Sequence, residues 1–333
     1  MNEAWTLAAS RPVVLVTVAQ GEGSVPRGAG AHMLVAADAL AGTVGGGHLE
    51  LRAIETGRAM LADGRQRHLE RFALGPGLGQ CCGGVVHLAF ELLEPGHAAQ
   101  LAARRRQDSW RLVALDGAGA ALYDADGVLL AGAPAPAFER SGATRLMRAA
   151  DGGRWLVDRI AAPRAHLLLF GAGHVGAALV SALAGLPCTV SWVDERADLF
   201  PPVVPDNVQV EACDAPEDLV AQAPAGASYL VMTHSHALDL RLAMAILACQ
   251  QVGWFGLIGS HTKRRQFEHR LRERGLDGAR IDAMACPIGL PGIDGKEPAV
   301  IAAAVAAQLL MLWQSADHLP VESTTIAQPG PAN

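Results

Sequence analysis

Cys81 and Cys82 stand side by side in Leu74-Gly75-Pro76-Gly77-Leu78-Gly79-Gln80-Cys81-Cys82-Gly83-Gly84, between two apolar runs. Glycine costs conformational entropy on folding, so a stretch this rich in it belongs where the backbone must approach another group or take a positive φ. Gly79, Gly83 and Gly84 contribute no side chains to cover the sulfurs. Accessible thiolates are soft ligands and nucleophiles, suited to a soft metal or a sulfur donor. The plain alternative is a pair of small buried hydrophobes.

Three further segments carry chemistry. Gly171-Ala172-Gly173-His174-Val175-Gly176 follows the apolar run His166-Leu167-Leu168-Leu169-Phe170 and opens a helical pattern. Asp194 ends the next strand pattern, Cys188 to Val193, where a dinucleotide fold puts the acid that holds a ribose; the alternative is a surface turn. Thr233-His234-Ser235-His236 sets two imidazoles at i, i+2, on one side of an extended backbone, with Asp239 close behind. His234, His236 and Asp239 lack a further ligand at convincing spacing, so an orienting role outweighs a metal site, and Asp239 also reads as a helix N-cap. Gly259-Ser260-His261 opens a basic helix, and Gly45-Gly46-Gly47-His48-Leu49-Glu50 opens another helix. Both Gly173 to Gly176 and Gly45 to Gly47 leave first-turn N–H groups free for a phosphate, and the sequence does not choose between them.

These residues need elements to hold them. Strand patterns run over Pro12 to Ala19, His32 to Ala36, Arg71 to Leu74 and Val85 to Leu93, giving a small N-terminal α+β domain over residues 1–95. Residues 96–163 read as a connecting β-rich module, with hairpin turns at Asp116-Gly117, Asp126-Gly127 and Asp151-Gly152. Its Arg104-Arg105-Arg106 run reads as a solvated helix face. Residues 164–315 alternate strand and helix, which predicts a Rossmann-like, doubly wound parallel sheet with right-handed crossovers. Strands are expected at Val208 to Val210, Tyr229 to Thr233 and Trp254 to Ile258, and helices near Pro216 to Ala221, Asp239 to Cys249 and Thr262 to Arg274. Residues 316–333 read as a flexible tail.

Composition narrows the function classes. The chain has 333 residues, half of them apolar, and a formal net charge of −6, which argues against a nucleic-acid surface. Six cysteines without framework spacing suit a reducing compartment. The start, Met1-Asn2-Glu3-Ala4-Trp5, lacks a basic segment followed by an apolar one, and no run reaches 18 apolar residues. The expectation is a cytoplasmic protein that binds neither membrane nor nucleic acid.

Taken together, the segments resemble the XdhC/CoxI family of accessory proteins that mature xanthine dehydrogenase and related molybdenum hydroxylases. The matching pieces are Gly23-Ser24-Val25-Pro26-Arg27, Gly45-Gly46-Gly47-His48-Leu49-Glu50, Phe72-Ala73-Leu74-Gly75-Pro76 and Gly79-Gln80-Cys81-Cys82-Gly83-Gly84. Further along they are Phe170-Gly171-Ala172-Gly173-His174-Val175, Thr233-His234-Ser235-His236-Ala237-Leu238-Asp239, Ile258-Gly259-Ser260 and Pro287-Ile288-Gly289-Leu290. His48 after the glycines resembles the xanthine dehydrogenase branch rather than the CoxI-like one. Gly28-Ala29-Gly30-Ala31-His32 and Gly77 depart from the pattern.

The resemblance implies a chaperone without catalysis of its own that binds and protects the molybdenum cofactor, a pterin dithiolene with a terminal phosphate. It implies support of cofactor sulfuration by a cysteine desulfurase and insertion into apo xanthine dehydrogenase; separately, an apolar chain with few aromatics and a distinct first domain is compatible with a homodimer. Cys81 and Cys82 are then the molybdenum ligands, and Gln80, Gly46, Gly47, His48, Gly171, Gly173, His174, Gly176, Asp194, His234, His236, Gly259 and Ser260 the residues around the cofactor. Adjacent side chains of an extended chain point apart, so one of the two sulfurs is expected to face the metal. The rival expectation is an NAD(P)-dependent oxidoreductase using Gly171, Gly173, Gly176 and Asp194. A third is a metal-dependent hydrolase built on His234, His236 and Asp239.

Overall fold

The computed structural model describes residues 8, 11–75, 83–93, 95–104 and 107–317. Gln80, Cys81 and Cys82 lie outside them. The chain divides into two compact units, Met1–Ala162 and Pro163–Asn333.

The N-terminal unit holds two antiparallel sheets. In the first, β1 (Val13–Glu22) pairs with β2 (His32–Val35) on one side and β5 (Val85–Leu93) on the other, with β3 (Leu40–Gly42) and β4 (Arg67–Ala73) at the edges. β1 runs three residues beyond the expected Ala19, because Gln20, Gly21 and Glu22 resume pairing with His87, Val86 and Val85 after a bulge at Val18/Gln20. Period-2 alternation gives β1 two apolar faces. Val14, Val16 and Val18 meet Leu49, Ala53 and Met60 of α1 (Gly47–Asp63), while Val13 and Leu15 meet Ala98 and Leu101 of α2 (Pro95–Ala103). Burial on both faces explains why this strand reads as one continuous apolar run.

The second sheet is ordered β8-β7-β6-β10-β9, from β6 (Ser109–Ala114), β7 (Ala120–Asp124), β8 (Leu129–Gly132), β9 (Arg145–Arg148) and β10 (Arg154–Ile160). The three predicted Asp-Gly turns join its neighbouring strands. A buried ionic cluster links the two sheets. Asp158 accepts from His32 Nε2 at 2.9 Å and from Thr144 Oγ1 at 3.1 Å. Arg111 lies 3.4 Å from Asp158 and also pairs with Glu91.

The C-terminal unit is α/β, with one parallel sheet ordered β13-β12-β11-β14-β15. Its strands are β11 (Ala165–Phe170), β12 (Cys188–Asp194), β13 (Val208–Ala212), β14 (Ala227–Val231) and β15 (Val252–Leu257). α3 (His174–Leu183) and α8 (Pro298–Asp317) cover one face, through Leu179, Val180, Val305 and Leu309. α4 (Asp218–Gln222), α5 (His236–Ala248) and α6 (His261–Glu273) cover the other, through Val220, Leu242 and Phe267, and α7 (Gly278–Asp282) adds Ile281. The strand order reverses at β11, so a crevice forms between the loops after β11 and β14. Among the described residues α8 is also the one helix long and apolar enough to cross a membrane, by length and composition.

Candidate functional site

In the N-terminal unit the glycine-rich motifs converge. Gly45 packs so closely on Pro26 that a Cβ there would collide with the proline ring, and Gly84 lies as tightly against the Ser24 and Glu22 carbonyls. Leu74 N–H donates to Gly84 O at 2.9 Å, closing the neck from which the segment with Gln80, Cys81 and Cys82 departs. The Gly-Ser-Val-Pro-Arg turn, the triple-glycine turn and this neck therefore form one surface. Small residues are needed because backbone meets backbone or a proline ring at each contact.

The triple-glycine turn is not an open anion site. Gly46, at φ 76, caps α1, and Glu50 reaches back from the first turns. Glu50 Oε2 accepts from Val44 N–H and Gly46 N–H, each at 3.2 Å, and from the Thr43 hydroxyl. A carboxylate of the same chain thus holds the place an anion would take, in the manner of a capping box with glycine at the cap. His48 is exposed beside it.

In the C-terminal unit the glycine loop sits at the carboxyl end of β11. Gly171, at φ 120, bends the chain, and its carbonyl accepts from Trp192 Nε1 at 3.0 Å. Gly176 must be glycine because a Cβ would strike the Gly171 carbonyl. Gly173 caps α3 in an extended conformation and supplies no side-chain acceptor, so the helix's first N–H groups face outward without a side-chain cap. His174 stands exposed at this helix start.

Asp194 ends β12 as the sequence places it, yet its carboxylate is engaged inside the protein. Oδ2 accepts from Ala172 N–H at 2.7 Å and from Arg196 Nη2 at 3.0 Å. Oδ1 accepts from Arg196 N–H at 3.0 Å and Arg196 Nε at 2.9 Å. Burial alone would raise this carboxyl, but the hydrogen bonds from Arg196 and Ala172 outweigh it and hold the group below the usual carboxylate range.

The histidine segment starts α5 earlier than the sequence suggests. Ser235 is the N-cap, its Oγ accepting from Leu238 N–H at 3.3 Å, so Asp239 is inside the helix rather than capping it. His234 and His236 are exposed, and His236 is the first helical residue, which ends the extended backbone assumed for the pair. Asp239 is wholly buried; Oδ1 accepts from Thr233 Oγ1 at 2.7 Å and Oδ2 from Lys263 Nζ at 2.7 Å. With both oxygens engaged, Asp239 is not a free metal ligand. Among the described residues no three His, Cys, Asp or Glu side chains gather as a metal site.

Ser260 caps α6 with Oγ on Lys263 N–H at 3.3 Å, and the Lys263 stem packs over Gly259. Its ammonium also donates to Ile258 O at 2.8 Å. Pairing alone does not signal Lys263 or Arg196 in the sequence, although Arg196 two residues after Asp194 and Glu50 four after Gly46 are spacings from which local hydrogen bonds can be read.

Between the ends of β11, β12 and β14 lies a small crevice of about 10 Å³. Phe170, Val193, Pro216, Leu238 and Leu242 give it apolar walls. Asp194, Glu195, Thr233 and His234 give it polar edges. Two described cysteines touch these residues: Cys286 Sγ donates to Gly259 O at 3.8 Å, and Cys213 N–H donates to Asp194 O at 3.2 Å. Cys188 and Cys286 are buried, and burial pushes the Cys188 thiol up to about 11, which makes it a packing residue at neutral pH.

Residues 167–309 match a family model described as the XdhC Rossmann domain, and residues 6–73 one described as the XdhC and CoxI family. The two matches do not overlap and jointly span more than half of the chain. A curated protein of Escherichia coli (strain K12), described as uncharacterized protein YqeB, is 29% identical over 154 residues, 46% of this chain and 28% of its own length. The chain thus matches less than a third of that relative. A solved structure described as a xanthine dehydrogenase from Bacillus halodurans shares the fold with a TM-score of 0.74 at 20% identity, over 97% of this chain and 98% of that one.

Proposed function

We propose, from the premise that this chain belongs to the XdhC and CoxI family, that it carries the molybdenum cofactor as cargo and inserts it into apo xanthine dehydrogenase. Membership points to xanthine dehydrogenase maturation; the cargo, its sulfuration by a cysteine desulfurase, and action as a cytoplasmic homodimer are part of the proposal. The protein works as a chaperone rather than as a catalyst.

The observation that carries the reading is the convergence of Pro26, Gly45 and Gly84 at the neck of the segment with Gln80, Cys81 and Cys82. Three motifs far apart in sequence meet in one surface. Thiolates at Cys81 or Cys82 match the softness of molybdenum in a dithiolene cofactor, and Gln80 supplies an amide for its oxo groups. Exposed His48 stands on the same surface for contacts to the pterin. The triple-glycine turn does not suit the terminal phosphate, because the Glu50 carboxylate there would repel it. His174, His234, His236, Gly259 and Ser260 line helix starts at the carboxyl ends of β11, β14 and β15, the side of a doubly wound sheet that takes ligands.

The test is molybdenum content. Full-length protein purified from a cofactor-producing host is expected to hold close to one molybdenum per chain, and to activate apo xanthine dehydrogenase when mixed with it. The double variant Cys81→Ala, Cys82→Ala should lose most of the metal. Unchanged content in that variant would end the thiol assignment, and a loaded protein that leaves the apoenzyme inactive would end the chaperone reading.

A further inference from the structure

From Pro298 to Ala316 α8 carries no Asp, Glu, Lys or Arg, yet only 28% of residues 298–315 are buried. Ala302, Val305, Ala306 and Leu309 form the side that packs into the core beneath. The outward side is apolar too. Val300, Ala303, Ala307 and Leu310 stand at i, i+3, i+7 and i+10, the spacing of a seam along which a second helix packs. Ala303 is exposed, and Met311 beside this seam is 60% exposed. A helix that covers only a sheet needs one apolar side, with polar and charged residues opposite.

α3 packs beside α8 and likewise has no Asp, Glu, Lys or Arg from His174 to Leu183; its Ala177, Ser181 and Ala182 are exposed. The other face of the sheet shows the ordinary pattern, with Arg265, Arg270, Arg272 and Glu273 of α6 turned to solvent. The uncharged surface is thus confined to one helical layer. At about 1.5 Å per residue and about 10 Å between axes, the 20 residues of α8 and 10 of α3 offer on the order of 450 Å² in projection. An apolar patch of that order is commonly functional. Two such patches face to face approach the roughly 1,000 Å² that a stable interface needs.

Composition selects the occupant. Interfaces with changing partners keep the charge of ordinary surface, whereas homodimer interfaces are more apolar and lose charge at their centre. An uncharged face also complements its own copy, as a two-fold contact requires. A lipid surface is disfavoured, because Glu297 and Asp317 bracket α8 and no Lys or Arg on it attracts anionic headgroups. We propose that α8, flanked by α3, is the homodimer interface, packing antiparallel along α8 of a second copy with Ala307 near the two-fold axis. This rests on the homodimer of the proposed function and adds where it is made. Small Ala303 of one copy then lies opposite Met311 of the other, so large and small side chains interdigitate, and the helix dipoles oppose each other.

Light scattering after size-exclusion chromatography of the full-length protein tests this, with wild type expected at twice the chain mass. Ala303→Arg and Met311→Lys put a charge at exposed positions, so each monomer should keep the wild-type circular dichroism. Each should weaken dimerisation about a hundredfold, since its charge would be buried without a partner. Arg265→Glu, on the opposite layer, is the control and should stay dimeric. If Ala303→Arg fails to fold, Met311→Lys carries the test. Wild type that stays monomeric at about 100 μM would overturn both the interface and the homodimer. Dimers that persist in both variants would overturn the interface and leave the homodimer standing. Binding to phosphatidylglycerol vesicles in place of dimerisation would assign the face to lipid and overturn the proposal. Molybdenum content of the same preparations reports on the cargo separately, so the two readings fail independently.

Discussion

Lys263 Nζ lies 2.7 Å from Asp239 Oδ2, and this pair ties the first turn of α6 to the first turn of α5. Asp239 is fully buried and the Lys263 side chain is 12% exposed, so neither charge has water as an alternative partner. Breaking such a pair from one side leaves an uncompensated buried charge, at about 3–5 kcal/mol. Asp239→Ala is therefore expected to lower the urea midpoint of the full-length protein strongly. Replacing both partners, as Asp239→Leu with Lys263→Met, should cost less than the single change, and an additive loss in the double variant would contradict the coupling.

The Asp158 cluster makes stability fall in acid. Burial pushes this carboxyl up, but the charge and hydrogen bond of His32, the Arg111 charge and the Thr144 hydroxyl outweigh burial and bring it to about 2. A carboxyl held below its unfolded value of about 3.9 contributes stability that is complete above that value and is lost as pH falls toward 2. Urea unfolding between pH 5 and pH 2 should show a loss of about 2–3 kcal/mol from this group. The loss should shrink in Asp158→Asn, whose own stability at pH 7 should be lower than wild type.

Glu50 supplies the acceptor that shapes the triple-glycine turn. Glu50→Ala leaves Val44 N–H, Gly46 N–H and the Thr43 hydroxyl without it, so the melting temperature should fall by an amount equivalent to about 1–3 kcal/mol. Added sulfate should recover part of that loss in the variant and not in wild type, because the emptied turn then accepts an external anion. Identical sulfate responses would show that Glu50 does not fill an anion position.

Gly176→Ala tests the βαβ unit without a backbone-conformation effect, since Gly176 has no positive φ. The added methyl meets the Gly171 carbonyl, so α3 must move away from β11, at about 1–3 kcal/mol. Thermal unfolding followed by circular dichroism should register this. Gly173→Ala, where a Cβ meets open space, is the control and should stay near wild type.

Much of the fold was legible because it rests on local patterns. The alternation of apolar strands and helices in the second half of the chain implies a parallel sheet with helices on both faces, since the central strands β11 and β14 bury apolar side chains on both sides. The β12 boundary at Asp194 was readable to the residue. Boundaries slipped where pairing or capping is decided by a partner: β1 continues to Glu22 through its register with β5, and α5 begins at His236 because Ser235 supplies the cap.

The site was legible as residue types and opaque as connections. Sequence spacing alone brings forward Asp194, Asp239 and the glycine turns, because each sits at the end of a readable element. What those groups do is set by partners that sequence distance does not reveal: Lys263 is 24 positions from Asp239, and Asp158 is 126 from His32. A carboxylate's availability depends on which donors fold onto it, and that is a property of tertiary packing in a low-dielectric interior. The sequence by itself determined the family, the parallel sheet and the thiol pair. Only the tertiary structure decided that Asp194 and Glu50 are already satisfied, that Arg196 faces outward, and that Pro26, Gly45 and Gly84 meet at the neck of the cysteine segment.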